Sequence, residues 1–209
     1  MNGPRILPFL RYAEKDGGLP NRDFVYAYDC RLIYCLKGCG SLTFEQSVYP
    51  LTAGTLCLYP SGTKYLPQRD ESDPMRFIIL NFDYYPTRPD LTAPLSPVSE
   101  DDFDPAQVID SWKDTEEPCF TEPQVLPDFQ TVENELLELV REWQVKKLHY
   151  QEAASSLLSL VLYRVLQRSS VGAESGARAD ERWPLSTGIL PSDWTTMPSL
   201  SGFTIIPII

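Results

Sequence analysis

The side chains best placed to do chemistry in this chain could hold a small molecule but not transform one. Along Arg31–Lys37, a two-residue alternation puts Arg31, Ile33, Cys35 and Lys37 on one face of a strand. Along Met75–Phe82, the same alternation groups Phe77, Ile79 and Asn81. Cations, an amide and apolar walls are the composition of a small-molecule pocket. The plainer reading of Arg31 and Lys37 is a solvated rim, and of Phe77 and Ile79 a packed core. Metal-dependent catalysis needs two or three imidazoles and a carboxylate converging on one ion, and His149 is the only histidine. It reads as a surface or helix-junction residue, so no catalytic residue, metal or cofactor is expected. Cys30, Cys35, Cys39, Cys57 and Cys119 are an odd number of thiols in a chain without an export signal, which favours reduced cysteines acting as small apolar residues. The Cys35/Cys39 spacing could suggest a metal clip, but neither a second pair nor a nearby histidine completes four ligands.

Short strands must position these side chains. Residues 24–37 are rich in Tyr, Val, Leu and Ile, and Leu32–Leu36 is almost continuously apolar, as in a strand covered on both faces. Gly38-Cys39-Gly40 forces a turn, and Ser41–Phe44 and Val48–Leu51 flank a polar connection. Gly54 opens a strand that ends at Pro60-Ser61-Gly62, where proline presets φ and glycine accepts φ > 0. Strands this short, repeated between turn signals, predict an antiparallel sandwich or barrel over residues 25–125. Residues 1–24 read as an irregular, proline-rich arm, and 86–125 as an acidic excursion carrying the last strands near Val108-Ile109 and Cys119-Phe120.

The period becomes helical over residues 126–170. Asp128 reads as the cap of a first helix with Phe129, Val132, Leu136, Leu139, Val140 and Trp143 on its apolar stripe. A second helix spans about Gln151–Arg168. Its apolar set is wider than one stripe, which makes Leu157, Leu158, Val161, Leu162 and Val165 candidates for a homodimer interface where one patch meets itself. Burial inside the monomer is the other reading. Residues 171–209 read as an irregular tail. A net charge of −11 disfavours nucleic acid and anionic membrane. No run approaches 18 apolar residues, so a soluble, cytoplasmic protein is expected.

Glycine, five residues, Pro-x-Gly, two residues and a histidine form the second motif of the cupin superfamily of double-sheet barrels. Gly54-x5-Pro60-x-Gly62 resembles it, with Tyr65 where the histidine would stand. The superfamily's first motif, with its His-x-His pair, has no counterpart. The order of arm, barrel and two helices resembles the N-terminal half of AraC-type transcription regulators. The residues that carry this are Leu32-Ile33-Tyr34 before Gly38-x-Gly40, Tyr49-x-Leu51-x-x-Gly54, Pro60-x-Gly62 and Asn81-Phe82-Asp83, across roughly residues 20–168.

The resemblance implies a mainly β, cupin-like barrel followed by two α-helices. It also implies a small effector (a sugar or small carboxylate) bound beneath the arm, a homodimer through the helices, and DNA contact only through a C-terminal helix-turn-helix domain. Lys37 sits where some sugar-binding members place a cationic pocket residue. Tyr65 thus joins Arg31, Lys37, Phe77, Ile79 and Asn81 as a ligand-binding candidate. The His and Trp that such members carry on the Phe77–Asn81 strand are missing, which argues against arabinose. A stand-alone, non-catalytic small-molecule-binding cupin is the alternative.

The tail from Trp183 shows no helix-turn-helix pattern, so a regulator truncated before its DNA-binding domain is expected. Read one nucleotide earlier, Asp193/Trp194 must give Leu, Trp194/Thr195 Asp and Met197/Pro198 Ala. The end of the chain can then give Phe-His-Tyr-His-Pro-Tyr-Tyr. This is similar to the Leu-Ala…Phe-x-Tyr-His-Pro-x-Tyr run of the family's first helix-turn-helix. It suggests that the chain from some point between 171 and 192 is an out-of-frame translation, the alternative being a divergent tail. The gene sequence checks this: its codons should all permit the shifted reading, and one that does not ends the idea.

Overall fold

The computed structural model describes residues 6–16, 23–70, 72–88, 90–91, 93–110 and 118–174. Two antiparallel sheets run through them. The five-stranded sheet has the order β1 (Phe9–Lys15), β8 (Arg76–Asp83), β3 (Cys30–Lys37), β6 (Leu56–Tyr59) and β9 (Gln124–Leu126). The four-stranded sheet has the order β2 (Val25–Tyr26), β7 (Lys64–Arg69), β4 (Gly40–Phe44) and β5 (Ser47–Leu51). A short helix α1 (Pro118–Thr121) precedes β9, and α2 (Glu133–Val145) and α3 (Tyr150–Glu174) follow. This is the mainly β, cupin-like arrangement with two helices after it that the sequence predicts.

Strand β3 explains the layering. It sits mid-sheet and is buried on both faces, as its apolar run requires. Cys30, Leu32 and Tyr34 point to the helices, together with Leu80 and Phe82 of β8. Ile33 and Cys35 point to the second sheet, with Phe77 and Ile79 of β8. The Tyr34 hydroxyl donates to Glu133 at 2.8 Å and ties the sheet to the start of α2. Among the described residues, no helix is long and apolar enough to cross a membrane.

Several elements differ from the sequence reading. Residues 9–15 are not irregular: they form an edge strand along β8, where Leu10 and Ala13 complete the helix-side core. The polar stretch 64–69 is a strand too. Its Pro67 is tolerated because β2 pairs only with Lys64 and Tyr65, and among the described residues nothing pairs with that side of β7 beyond them. The last strand is Gln124–Leu126, whereas Cys119-Phe120 lies on α1 and Val108-Ile109 in a connection. Asp128 has φ +54° and caps nothing; a 3-10 turn at Gln130–Val132 leads into α2. Helix α3 continues through residues 171–174, and the frameshift reading otherwise falls outside the described residues. Gly62 takes φ +81° at the predicted turn. Gly38 (φ +76°) is required sterically as well, since a Cβ there would lie 2.5 Å from the Pro74 carbonyl oxygen.

The candidate dimerisation residues of α3 lie on its inner side. Leu158, Val161, Leu162 and Val165 are fully buried inside the monomer, and Leu157 packs at the edge of the same core. The sheet and α2 together cover the wide apolar surface, each such side chain contributing about 1.5–3 kcal/mol by burial. Leu158→Ala should therefore lose about 2–5 kcal/mol in urea unfolding, to the same extent at low and high protein concentration. A loss that grows on dilution would return the residue to an interface.

Candidate functional site

The strongest concentration of chemistry lies between the sheets, at the end where β3 starts and β8 finishes. Asp29 and Arg31 are two residues apart on one face, and Arg31 pairs across the sheet with Asn81. All three side chains are buried. Arg31 Nε donates to Asp29 Oδ1 at 3.1 Å, and one terminal nitrogen donates to the Tyr65 hydroxyl at 3.2 Å. The other terminal nitrogen donates to the Leu95 carbonyl at 2.8 Å. Asp29 also accepts from Asn81 Nδ2 at 3.1 Å and from the Leu95 backbone N–H at 3.3 Å.

A second buried pair adjoins the first. The β1–β8 register slips between Leu10 and Tyr12, so Arg11 is the extra residue of a β-bulge. Bulges re-aim side chains, and this one brings Arg11 onto Asp83, with a further bond from Arg11 to the Arg88 carbonyl at 3.2 Å. Both side chains are fully buried. Among the described residues, Arg11 Nε, one of its terminal nitrogens and Asp83 Oδ1 have no hydrogen-bond partner. Burial pushes the Asp83 carboxyl above the ordinary carboxylate range; Arg11 opposes this and the charge of Asp29 adds to it.

The phenols behave as neutral donors and acceptors. Burial raises Tyr59 well above its ordinary value, with Tyr65 adding to the rise and Arg31 opposing it. Burial likewise raises Tyr65, against the pull of Arg31. The Tyr59 hydroxyl lies beside that of Tyr65 without a well-formed hydrogen bond. Burial alone would lower Arg31, but Tyr65, Asp29 and Tyr59 outweigh it and raise the guanidinium. Two arginines and two aspartates thus cancel in a nest of unlike donors and acceptors, beside the apolar Ile33, Tyr59 and Ile79.

Of the candidates read from sequence, Arg31, Tyr65 and Asn81 meet in this cluster. Phe77 and Ile79 line the same inter-sheet core. Lys37 does not join them. A register irregularity between Cys35 and Lys37 takes it off the Arg31–Cys35 face, and it ends β3 exposed. Sequence reasoning missed Asp29, Asp83 and Arg11. The first two carried a signal, being two residues from Arg31 and from Asn81. Arg11 carried none, because only the bulge turns it inward.

The described residues hold no group of three or more His, Cys, Asp or Glu able to bind a metal. The Cys35 thiol faces the carbonyls of Lys37 and Gly38, and Cys39 faces Asp73, so the pair forms no clip. None of the five cysteines forms a disulfide. An open groove of about 600 Å³ lies away from the cluster, between Phe129, Thr131 and Arg164, Gln167 and Arg168 of α3. Its Arg164 is already bonded to the Thr131 carbonyl and Glu135.

No family model and no curated protein matches the chain. Solved structures similar in fold include apo ToxT K231A from Vibrio cholerae, with 12% identity over 80% of this chain and 58% of that one, at TM-score 0.45. A putative glyoxylate-induced protein from Pseudomonas aeruginosa is 20% identical over 41% of this chain and 31% of that one, at TM-score 0.27. A mutant oxalate decarboxylase of Bacillus subtilis is 15% identical over 32% and 19%, at TM-score 0.27. The chain spans less than two thirds of each of these proteins.

Removing Arg11 should strand a buried carboxylate. Arg11→Met is expected to cost about 3–5 kcal/mol at pH 7. The raised Asp83 carboxyl would then protonate more readily in the folded than in the unfolded chain. The deficit should therefore shrink as pH falls towards 4, read by urea unfolding at a series of pH values.

Proposed function

We propose that the chain is the effector-binding and dimerisation part of an AraC-type transcription regulator, a container that holds a small molecule without converting it. The observation that carries this reading is the buried, charge-neutral cluster of Asp29, Arg31, Asn81 and Tyr65, closed above by a backbone segment rather than by a side-chain core. Buried polar groups are kept where they specify something, and mixed donors and acceptors within apolar walls are how small-molecule sites orient ligands. The single histidine, exposed at the α2–α3 junction, leaves no imidazole for acid–base or metal chemistry at the cluster. A non-enzymatic role follows from the same reading, as does a cytoplasmic location.

The family resemblance points to a sugar or a small carboxylate as the effector. Contact with DNA falls to a C-terminal domain of the kind the family carries, not to the described residues. Self-association through α3 uses its outer side, where Leu160 and Tyr163 are exposed, since the inner side is occupied. Sedimentation of the chain as a monomer at tens of micromolar would reject that part.

Thermal-shift screening against sugars, polyols and small carboxylates tests the main claim. A binder at about a hundred times its Kd adds about 2.7 kcal/mol, which raises Tm by about 5–10 °C for a chain of this size. Asn81→Ala should remove most of that shift while leaving the fold intact. A panel in which nothing shifts Tm sinks the proposal.

A further inference from the structure

Segment 93–110 crosses above the cluster and is fastened in an unusual way. Leu95 gives both of its backbone groups to buried charges: its carbonyl accepts from Arg31 and its N–H donates to Asp29 Oδ2. Val98 exchanges two backbone bonds with Tyr26. Phe103 stacks on Tyr26 with ring centroids 4.0 Å apart and leans on Tyr28. The Tyr28 hydroxyl accepts from the Asp104 N–H at 2.9 Å. At the far end, Ile109 bonds through its N–H to the Tyr28 carbonyl and through its carbonyl to the Ser61 hydroxyl.

Very little apolar surface is buried in this. Of the segment's residues only Ile109 is buried, whereas Asp29, Arg31 and Asn81 beneath it are almost completely enclosed. An element held by hydrogen bonds, the solvent-exposed Lys64–Glu100 ion pair and one stacked ring, with a single buried side chain, opens at lower free energy than the sheets it crosses. When it lifts, a buried cation and a buried carboxylate each lose a partner, and neither is satisfied until something replaces it.

We propose that segment 93–110 is the gate of the binding site and that the Leu95 peptide occupies the position of the ligand. What replaces it must offer an acceptor to Arg31 and a donor to Asp29, side by side. A vicinal diol or a primary amide does both. A carboxylate supplies only the acceptor, and it adds a charge to a cluster whose two arginines and two aspartates already cancel. Entry is then an exchange of hydrogen-bond partners, in which opening and ligand capture share the same two side chains. Phe103 sets how readily the gate lifts, because its stack on Tyr26 is broken by opening and touches nothing in the cluster.

The ligand class rests on the container reading above, but the gate can be tested without any ligand. Native-state hydrogen exchange on the full chain should show the amides of Val98 and Ile109 exchanging at least about tenfold faster than those of β3 and β8. Phe103→Ala should raise gate exchange about threefold or more and leave β3 and β8 unchanged. If gate amides exchange at the rate of β8 in the wild type and in Phe103→Ala, the segment opens only on global unfolding and the gate is lost. That outcome leaves a bound effector possible, whereas a silent thermal-shift panel removes the effector and leaves the gate. Among compounds that do shift Tm, neutral diols or amides support the ligand class, and hits confined to carboxylates overturn it.

Discussion

A charge buried without its counter-ion costs several kcal/mol, and this fold places four of them between its sheets. Much of its organisation follows from satisfying them. Asp29 must precede β3 by one residue to face Arg31 along the strand. Asn81 must pair with Arg31 across the sheet to reach the same carboxylate. The β1 strand must bulge to deliver Arg11 to Asp83, and the connection after β8 must pass overhead, because Arg11 and Arg31 still have N–H groups to spare. The carbonyls of Arg88 and Leu95 each take one further bond from them. Pairing and overhead closure are thus parts of a single arrangement.

The same two strands serve a second purpose. One face of β3 and β8 carries the polar cluster and its apolar walls, and the other face is the floor on which α2 and α3 pack. A disturbance at Arg31 or Asn81 is one peptide away from Leu32 or Phe82 on the helix side. The Tyr34–Glu133 bond fastens sheet to helix further along the same strand. Under the proposed function, this is the short path by which a bound molecule would reach the helices. Close-packed cores transmit displacement rather than absorb it.

The sheets were readable because their strands are written in period two and their turns in Gly and Pro. The Arg31 and Asn81 faces were readable for the same reason. Where the reading failed, tertiary pairing overrode local pattern. Residues 9–15 have weak strand character alone and become a strand because β8 offers an edge. Lys37 has the right parity but follows an irregularity that parity ignores. The wide apolar set on α3 left a homodimer interface and burial within the monomer open, and its side chains pack on the sheet and α2.

By itself the sequence determined the period of each element, the glycines at its turns, and the presence of a single histidine. These depend on neighbours only a few residues apart, so local stereochemistry decides them. Only the tertiary structure decided that Arg11 meets Asp83 across 72 residues, that Leu95 closes over Arg31 across 64, and that α3 faces inward. Such contacts arise because buried charges must find partners wherever the folded chain brings them, and no spacing in the sequence records where that will be.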